Sequence, residues 1–382
     1  MKCNGIDAVT GEHTQVSFNG AITGVDHLLA PPEERVYLAP GFIDIQVNGF
    51  AGVDYNSPVA PHEEIAQSIH RMYATGVTRF FPTVITGSPD DMAGALHNLA
   101  AAREALPEGH AMEAFHVEGP YISPEDGPRG AHPKRWTRKP DYDEFLRFQD
   151  AAQGHIRLIT LSPEWPEAPA FIERVVSEGV AISIGHTKAE AAQIANAVKA
   201  GATLSTHLGN GAHAVMSRHP NYIFDQLAED RLNASFIVDG IHLGQPFLKV
   251  ALRAKGVEHS VLVTDAVMPA GCSPGQYRLG EVDVELHADG SVRLLGGTRL
   301  AGSALLMDRA IGNVIRIAGI TLRDAVTMAT RNPARVGRIA HRQRGLATGE
   351  RSDLVRFRFD DETKQLHVLE TYASGELVYQ SN

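Results

Sequence analysis

The sequence predicts a (β/α)8 barrel of the TIM type carrying a small β domain built from both chain ends, and three observations predict it. Eight short apolar runs alternate with helical stretches through the middle of the 382-residue chain. A polar residue follows nearly every run, as it does where barrel strands deliver side chains to a catalytic rim. Both termini read instead as short strands separated by Gly, Asn and Pro turns. With 43% hydrophobic residues the chain is long enough for one large core and a smaller second domain.

Taken in order, residues 1–39 hold alternating pieces, Gln15–Phe18 and Arg35–Leu38, which cannot bury a core alone. Their expected partners are the stretches Asp353–Phe359, Gln365–Tyr372 and Glu376–Tyr379, so that 1–39 and 341–382 form one discontinuous domain around a barrel of residues 40–340. The barrel strands are expected at Gly41–Val47, Val77–Val84, Ala111–Val117, Ile156–Leu161, Val180–Ile184, Thr203–Ser205, Ala234–Val238 and Ser260–Val263. Helices are expected at Pro61–Ala74, Pro89–Ala105, Tyr142–Ala151, Ala168–Ser177, Lys188–Lys199, Pro246–Ala254 and Ser303–Ile317, several opened by Pro or Asp. Two excursions break the rhythm. Gly119–Pro140, rich in Gly, Pro and basic residues, is long enough to cover the barrel mouth as a lid. Residues 270–300 read as a β-hairpin turning at Ala288-Asp289-Gly290.

The strand ends carry Asp44, Gln46 and Asn48, then Thr83, Glu118, Glu164, His186, His207, Asp239 with His242, and Asp265. Polar loops account for Thr83 and Glu164. They account poorly for one carboxylate and two imidazoles at Glu118, His186 and His207, each just after an apolar run. Such a triad can bind a metal such as Zn²⁺ with a fourth position left open for water. His116, His213 and His287 read as satisfied, partly buried imidazoles instead.

The bulk numbers exclude other classes. Net charge is −10, from 35 basic against 45 acidic residues, which argues against nucleic acid as the main partner. Cys3 and Cys272 are too few for a disulfide framework or a cysteine cage. No apolar run approaches a membrane span and no leader pattern follows Met1, so a cytoplasmic protein with no membrane partner is expected.

Eight motifs, in this order and spacing, resemble the N-acetylglucosamine-6-phosphate deacetylases of the amidohydrolase superfamily over nearly the whole chain. They are Pro40–Gly49, His116–Pro120, Gly185–Thr187, Thr206–Leu208, Asp239–His242, Leu262–Ala266, Leu300–Ser303 and Asn332–Arg335. The resemblance implies a metal-dependent deacetylase with a small β-sandwich from both termini, working as a homodimer. It implies that Glu118, His186 and His207 hold one divalent metal, Zn²⁺, and that Asp265 is the general base. His132, in the lid, matches a histidine against the substrate near the acetyl carbonyl. His242 and Arg218 match phosphate contacts, the arginine reaching across from a second subunit, and Asn210 with the Gly211 amide matches a further contact.

Many amidohydrolases carry His-x-His after the first strand and hold a second metal; here Gln46-Val47-Asn48 stands instead. Carboxamides replace imidazole poorly on Zn²⁺, so one site is expected. Gln46 and Asn48 are left to bond water or the ligands, or to cap the strand. The chain also departs from the family at Leu208–His213 and Arg218–Asn221, which bears on the choice of sugar and on the need for phosphate. The expected reaction is hydrolysis of N-acetylglucosamine 6-phosphate to glucosamine 6-phosphate and acetate. Its rivals are the same hydrolysis of N-acetylgalactosamine 6-phosphate or an unphosphorylated analogue, and a non-catalytic sugar-binding barrel.

Overall fold

The computed structural model describes residues 1–30, 34–279 and 282–381. An eight-stranded sheet runs β1 (Phe42–Val47), β2 (Val77–Ile85), β3 (Phe115–Glu118), β4 (Ile156–Leu161), β5 (Ala181–Ile184), β6 (Ala202–Ser205), β7 (Asn233–Phe236) and β8 (Ser260–Leu262). Neighbours pair in this order and all in parallel. The parallel bridge Val47 to Ala266 joins β1 to the segment after β8, so the barrel closes just where Asp265 stands. Parallel strands covered on both faces read as continuous apolar runs, and β1, β3, β5 and β7 are buried throughout.

The flanking helices begin where the sequence offers a cap. Ser88 accepts the Asp91 amide at 3.1 Å before Pro89–Ala105, and Asp141 accepts the Glu144 amide at 3.0 Å before Tyr142–Ala151. Some boundaries differ from expectation for the same kind of reason. Lys188 and Ala189 lie outside their helix, because the Glu190 amide is taken by Gln193 and the helix opens at Ala191. Ser303 ends a strand and the following helix starts at Met307. A 3₁₀ turn at Pro107–Ala111 delays β3 to Phe115. Three helices went unread: Tyr222–Ala228, Leu322–Ala329 and Arg331–Val336. The expected hairpin at 270–300 is part of a four-stranded antiparallel meander, Gly275–Leu279, Val282–Leu286, Ser291–Leu294 and Leu300–Ser303.

Strands from both termini join one seven-stranded sheet, in which Tyr37–Pro40 lies between Lys2–Asp7 and Leu354–Phe359. Cys3, Val16, Phe18, Ile22, Leu38 and Leu354 form a small core of their own within it. A buried ion cluster ties this sheet to the barrel. Asp353, fully buried, accepts Arg79 Nε of β2 at 2.8 Å and Arg351 Nε at 2.8 Å, with Arg342 Nε at 3.6 Å. No helix among the described residues is long and apolar enough to cross a membrane.

Candidate active site

Strands β3, β5 and β6 of the parallel sheet end on one rim and carry a polar residue at their end or two residues past it. Glu118 closes β3, His186 follows β5 by two residues and His207 follows β6 by two. Glu118 Oε1 lies 3.1 Å from His186 Nε2 and 2.9 Å from His207 Nε2, and the two nitrogens are 3.1 Å apart. All three side chains are buried. His186 and His207 adopt φ of 48° and 30°, and Asp265 one of 50°, in a region that L residues rarely enter. Strain of this kind costs about 1–3 kcal/mol per residue and persists only where packing enforces it.

The protonation pattern shows what the cluster is suited to hold. His186 Nδ1 lies 2.9 Å from the Pro128 carbonyl, which can only accept, so the ring proton sits on Nδ1. Its Nε2 lone pair then faces the Glu118 carboxylate and a second imidazole nitrogen, an arrangement that repels unless a cation lies between them. His207 Nδ1 is buried without a partner. Burial works to raise the Glu118 carboxyl, but His186 and His207 outweigh it and hold it well below the usual carboxylate range. Three converging donors about 3 Å apart approach the edge of roughly 3.3 Å expected for a tetrahedral ion with bonds near 2.0–2.1 Å. The residues fit a divalent metal.

Asp265 shares the charge environment of Glu118 and His207, and burial followed by the Glu118 charge pushes its carboxyl up to about 6. Gln46 Nε2 and Asn48 Nδ2 donate to its Oδ1 at 3.1 and 2.7 Å. These carboxamides therefore bond Asp265 itself, one step inward of the water or ligands expected from sequence. His132 is buried, its ring centroid 4.3 Å from that of His186, with Nδ1 2.9 Å from Thr86 Oγ1. Burial keeps it neutral, its pKa lowered to about 3. His242 Nδ1 pairs with Asp239 at 2.6 Å and bears electrostatically on Asp265. Gly211 packs against the His186 ring so closely that an added Cβ would sit 2.6 Å from Nδ1, and Asn210 donates to the His207 carbonyl at 3.2 Å. Arg218 stands apart on an exposed loop, with no hydrogen bond or ion pair among the described residues.

The lid is pinned to this centre. Besides the Pro128 contact, Ser123 N donates to the His186 carbonyl at 2.9 Å, and Glu125 pairs with Lys188 and with His213 Nε2, the latter at 2.9 Å. No periodicity or motif announces a main-chain acceptor such as Pro128, so sequence reasoning had no signal for it. Glu125, Thr86 and the Asp265 contacts of Gln46 were likewise missed; only the i, i+2, i+4 spacing of Asp44, Gln46 and Asn48 hinted at a shared face. Of the histidines set aside, His116 is satisfied by Ile45 O at 3.2 Å and Thr160 Oγ1 at 2.7 Å, and His213 also meets the Tyr222 hydroxyl at 2.9 Å, while His287 is partly exposed with Glu285 3.7 Å away. At Gly209 a side chain would run into Phe247 of the helix Gln245–Lys255 and into Leu243 just before it, 2.7 and 2.8 Å away, so these two side chains occupy the space beside the glycine.

Barrel topology and a strand-end cluster of two imidazoles and a carboxylate beside a second carboxylate together define a hydrolase of the amidohydrolase class. Residues 37–378 match the Amidohydrolase family. The chain is 35% identical over 358 residues to the N-acetylglucosamine-6-phosphate deacetylase of Bos taurus, covering 90% of this chain and 83% of the relative. It is also 35% identical over 346 residues to the N-acetylgalactosamine-6-phosphate deacetylase of Shewanella sp., covering 90% and 84%. The N-acetyl-D-glucosamine-6-phosphate deacetylase of Mycobacterium smegmatis, solved with N-acetyl-D-glucosamine-6-phosphate, superposes with a TM-score of 0.88 at 29% identity over 99% of each chain. This chain belongs to the amidohydrolase family, within its N-acetylglucosamine-6-phosphate deacetylase branch.

Proposed function

We propose that the protein hydrolyses the N-acetyl amide of N-acetylglucosamine 6-phosphate, giving glucosamine 6-phosphate and acetate, with one Zn²⁺ held by Glu118, His186 and His207. The observation that carries this reading is the buried triad of acceptor atoms beside Asp265 in a chain of this family. The chemistry supplied by a divalent ion bound there is Lewis acidity, which makes water nucleophilic at neutral pH and polarises an amide carbonyl. Asp265 accepts the proton of the attacking water on Oδ2 and returns it to the sugar nitrogen, so that an amine and not an amide anion leaves. Neutral His132, held at Nδ1 by Thr86, turns its other nitrogen to the acyl oxygen as a hydrogen-bond donor. The lid, seated on His186 through Pro128, keeps bulk water from the reacting centre.

His242, Asn210 and the Gly211 amide are proposed to bind the sugar phosphate. Arg218 completes the phosphate grip from a second copy of the chain, a role suited to an exposed arginine with no partner among the described residues. Val215 and Phe224, exposed and within seven residues of Arg218 in the chain, fit the apolar part of such a homodimer contact. Cys3 and Cys272 are free, which fits work in the reducing cytoplasm.

A second reading, N-acetylgalactosamine 6-phosphate, is favoured by one observation: the Shewanella relative of that activity is 35% identical, the same as the bovine glucosamine-type relative. Steady-state deacetylation of both phosphates and of unphosphorylated N-acetylglucosamine, with metal content measured on the same sample, separates the cases. Preference for N-acetylglucosamine 6-phosphate with about one metal per chain is expected. Equal turnover with and without phosphate would remove Arg218 and His242 from the reading, and preference for the galactose epimer would replace the substrate.

Metal and lid are coupled through His186 in this reading. Stripping the metal with a chelator is expected to speed tryptic cleavage at Lys134, Arg135 and Arg138 several-fold, and metal readdition to reverse it. Identical digestion rates of the two forms would break the coupling.

A further inference from the structure

We propose that Gln46 and Asn48 are positioning residues that aim Asp265, each by occupying its Oδ1 so that Oδ2 alone is free for proton transfer. The inference rests on the reading of Asp265 as the base. Asp44, Gln46 and Asn48 alternate along β1 and just past it, so their side chains share one face, and all three are buried. That face meets the segment after β8 at the barrel's closing seam. Asp44 grips Thr264 through its hydroxyl at 2.5 Å and its amide at 3.3 Å. The Gln46 carbonyl accepts the Asp265 amide at 3.0 Å, and Asn48 N donates to the Ala266 carbonyl at 2.7 Å. The main chain is thus fixed on both sides of a residue held at φ 50°. Only then do the Gln46 and Asn48 amides, at 3.1 and 2.7 Å, converge on a single carboxylate oxygen. Oδ2 accepts no hydrogen bond among the described residues.

Asn48 shows that the contact is not incidental packing. Its amide has one workable orientation, since the reverse would set Oδ1 against the Asp265 carboxylate. In that orientation Oδ1 is buried with no partner. Its donor is committed to the same carboxylate oxygen that Gln46 bonds, so the two amides act on one atom from one face of the first strand. A carboxamide also suits the task chemically. It donates two hydrogens, carries no charge and does not titrate, so it never competes for the proton that Asp265 moves.

The test is a double-mutant cycle on the metal-loaded enzyme with N-acetylglucosamine 6-phosphate. Asn48→Ala is expected to lower kcat about 10²-fold with KM within about twofold, and with metal content and melting temperature unchanged. Placed in an Asp265→Asn background, the same change is expected to alter the residual turnover by less than about twofold, because a residue acting through Asp265 has nothing left to aim. Gln46→Met gives a second, independent arm if Asn48→Ala folds poorly. A full additional loss in the Asp265→Asn background, or a loss confined to KM, overturns the positioning role while leaving the base intact. Wild-type turnover by Asp265→Asn alone overturns the base assignment, and this role with it.

Discussion

Asp265→Asn is expected to keep its metal and its fold and to lose about 10²–10⁴-fold in kcat. The substitution preserves shape and leaves Glu118, His186 and His207 untouched, so metal binding survives. It removes a carboxyl beside the triad whose affinity for a proton, about 6, lies close enough to neutrality both to take and to return one; Asp44, raised to about 7, has its Oδ2 committed to the Thr264 hydroxyl. Two conditions must hold for a proton shuttle, reach and matched basicity. Asp265 meets the second because burial and the neighbouring Glu118 charge raise it, whereas Glu118, against burial, is held low by the two imidazoles beside it. Steady-state kinetics with metal analysis of the same preparation checks the outcome. An Asn variant with unchanged kcat would remove Asp265 from the mechanism.

Asp353→Asn is expected to destabilise the protein by about 3–5 kcal/mol, the loss typical when one partner of a buried ion pair is removed. Asp353 faces three guanidinium groups, Arg79, Arg342 and Arg351, and its Oδ1 also accepts the Ser374 amide at 2.8 Å. Removing its charge leaves those cations facing one another in a dry seam between barrel and terminal sheet. Burial alone would raise its carboxyl, but the three arginines, Arg351 first, hold it far below the free value. Its contribution is therefore complete above the unfolded value near 3.9 and is lost as pH falls through the folded one. Urea unfolding of the wild type is expected to weaken steeply below about pH 4, and that of the variant to depend less on pH in the same window. Equal stability of the two proteins at pH 7 would show that the cluster contributes nothing net.

Much of this was written in the order of residues. The apolar runs ending at Glu118, Ile184 and Ser205 became parallel strands because continuous burial needs cover on both faces, a pattern that local sequence displays directly. Pro89 and Asp141 marked the starts of their helices, since proline suits the first helical turn and an aspartate oxygen caps free amides there. The short helix Tyr222–Ala228 was not legible: its Asn221 cap follows a loop whose residues resemble the surrounding turns, and seven residues carry too little periodicity.

By itself the sequence determined the barrel, its strand ends and the choice of Glu118, His186 and His207 as a set, because those properties reside in runs and in residue type. The tertiary structure alone decided which oxygen of Asp265 is taken, which nitrogen of His186 carries its proton, and that the segment after Glu118 touches the His186 ring. Each of these depends on atoms far apart in the chain meeting within about 3 Å: Gln46 with Asp265, 219 residues on, and Pro128 with His186, 58 residues on. Hydrogen-bond direction falls away within tenths of an ångström, and nothing in a local pattern of residues encodes distances that fine.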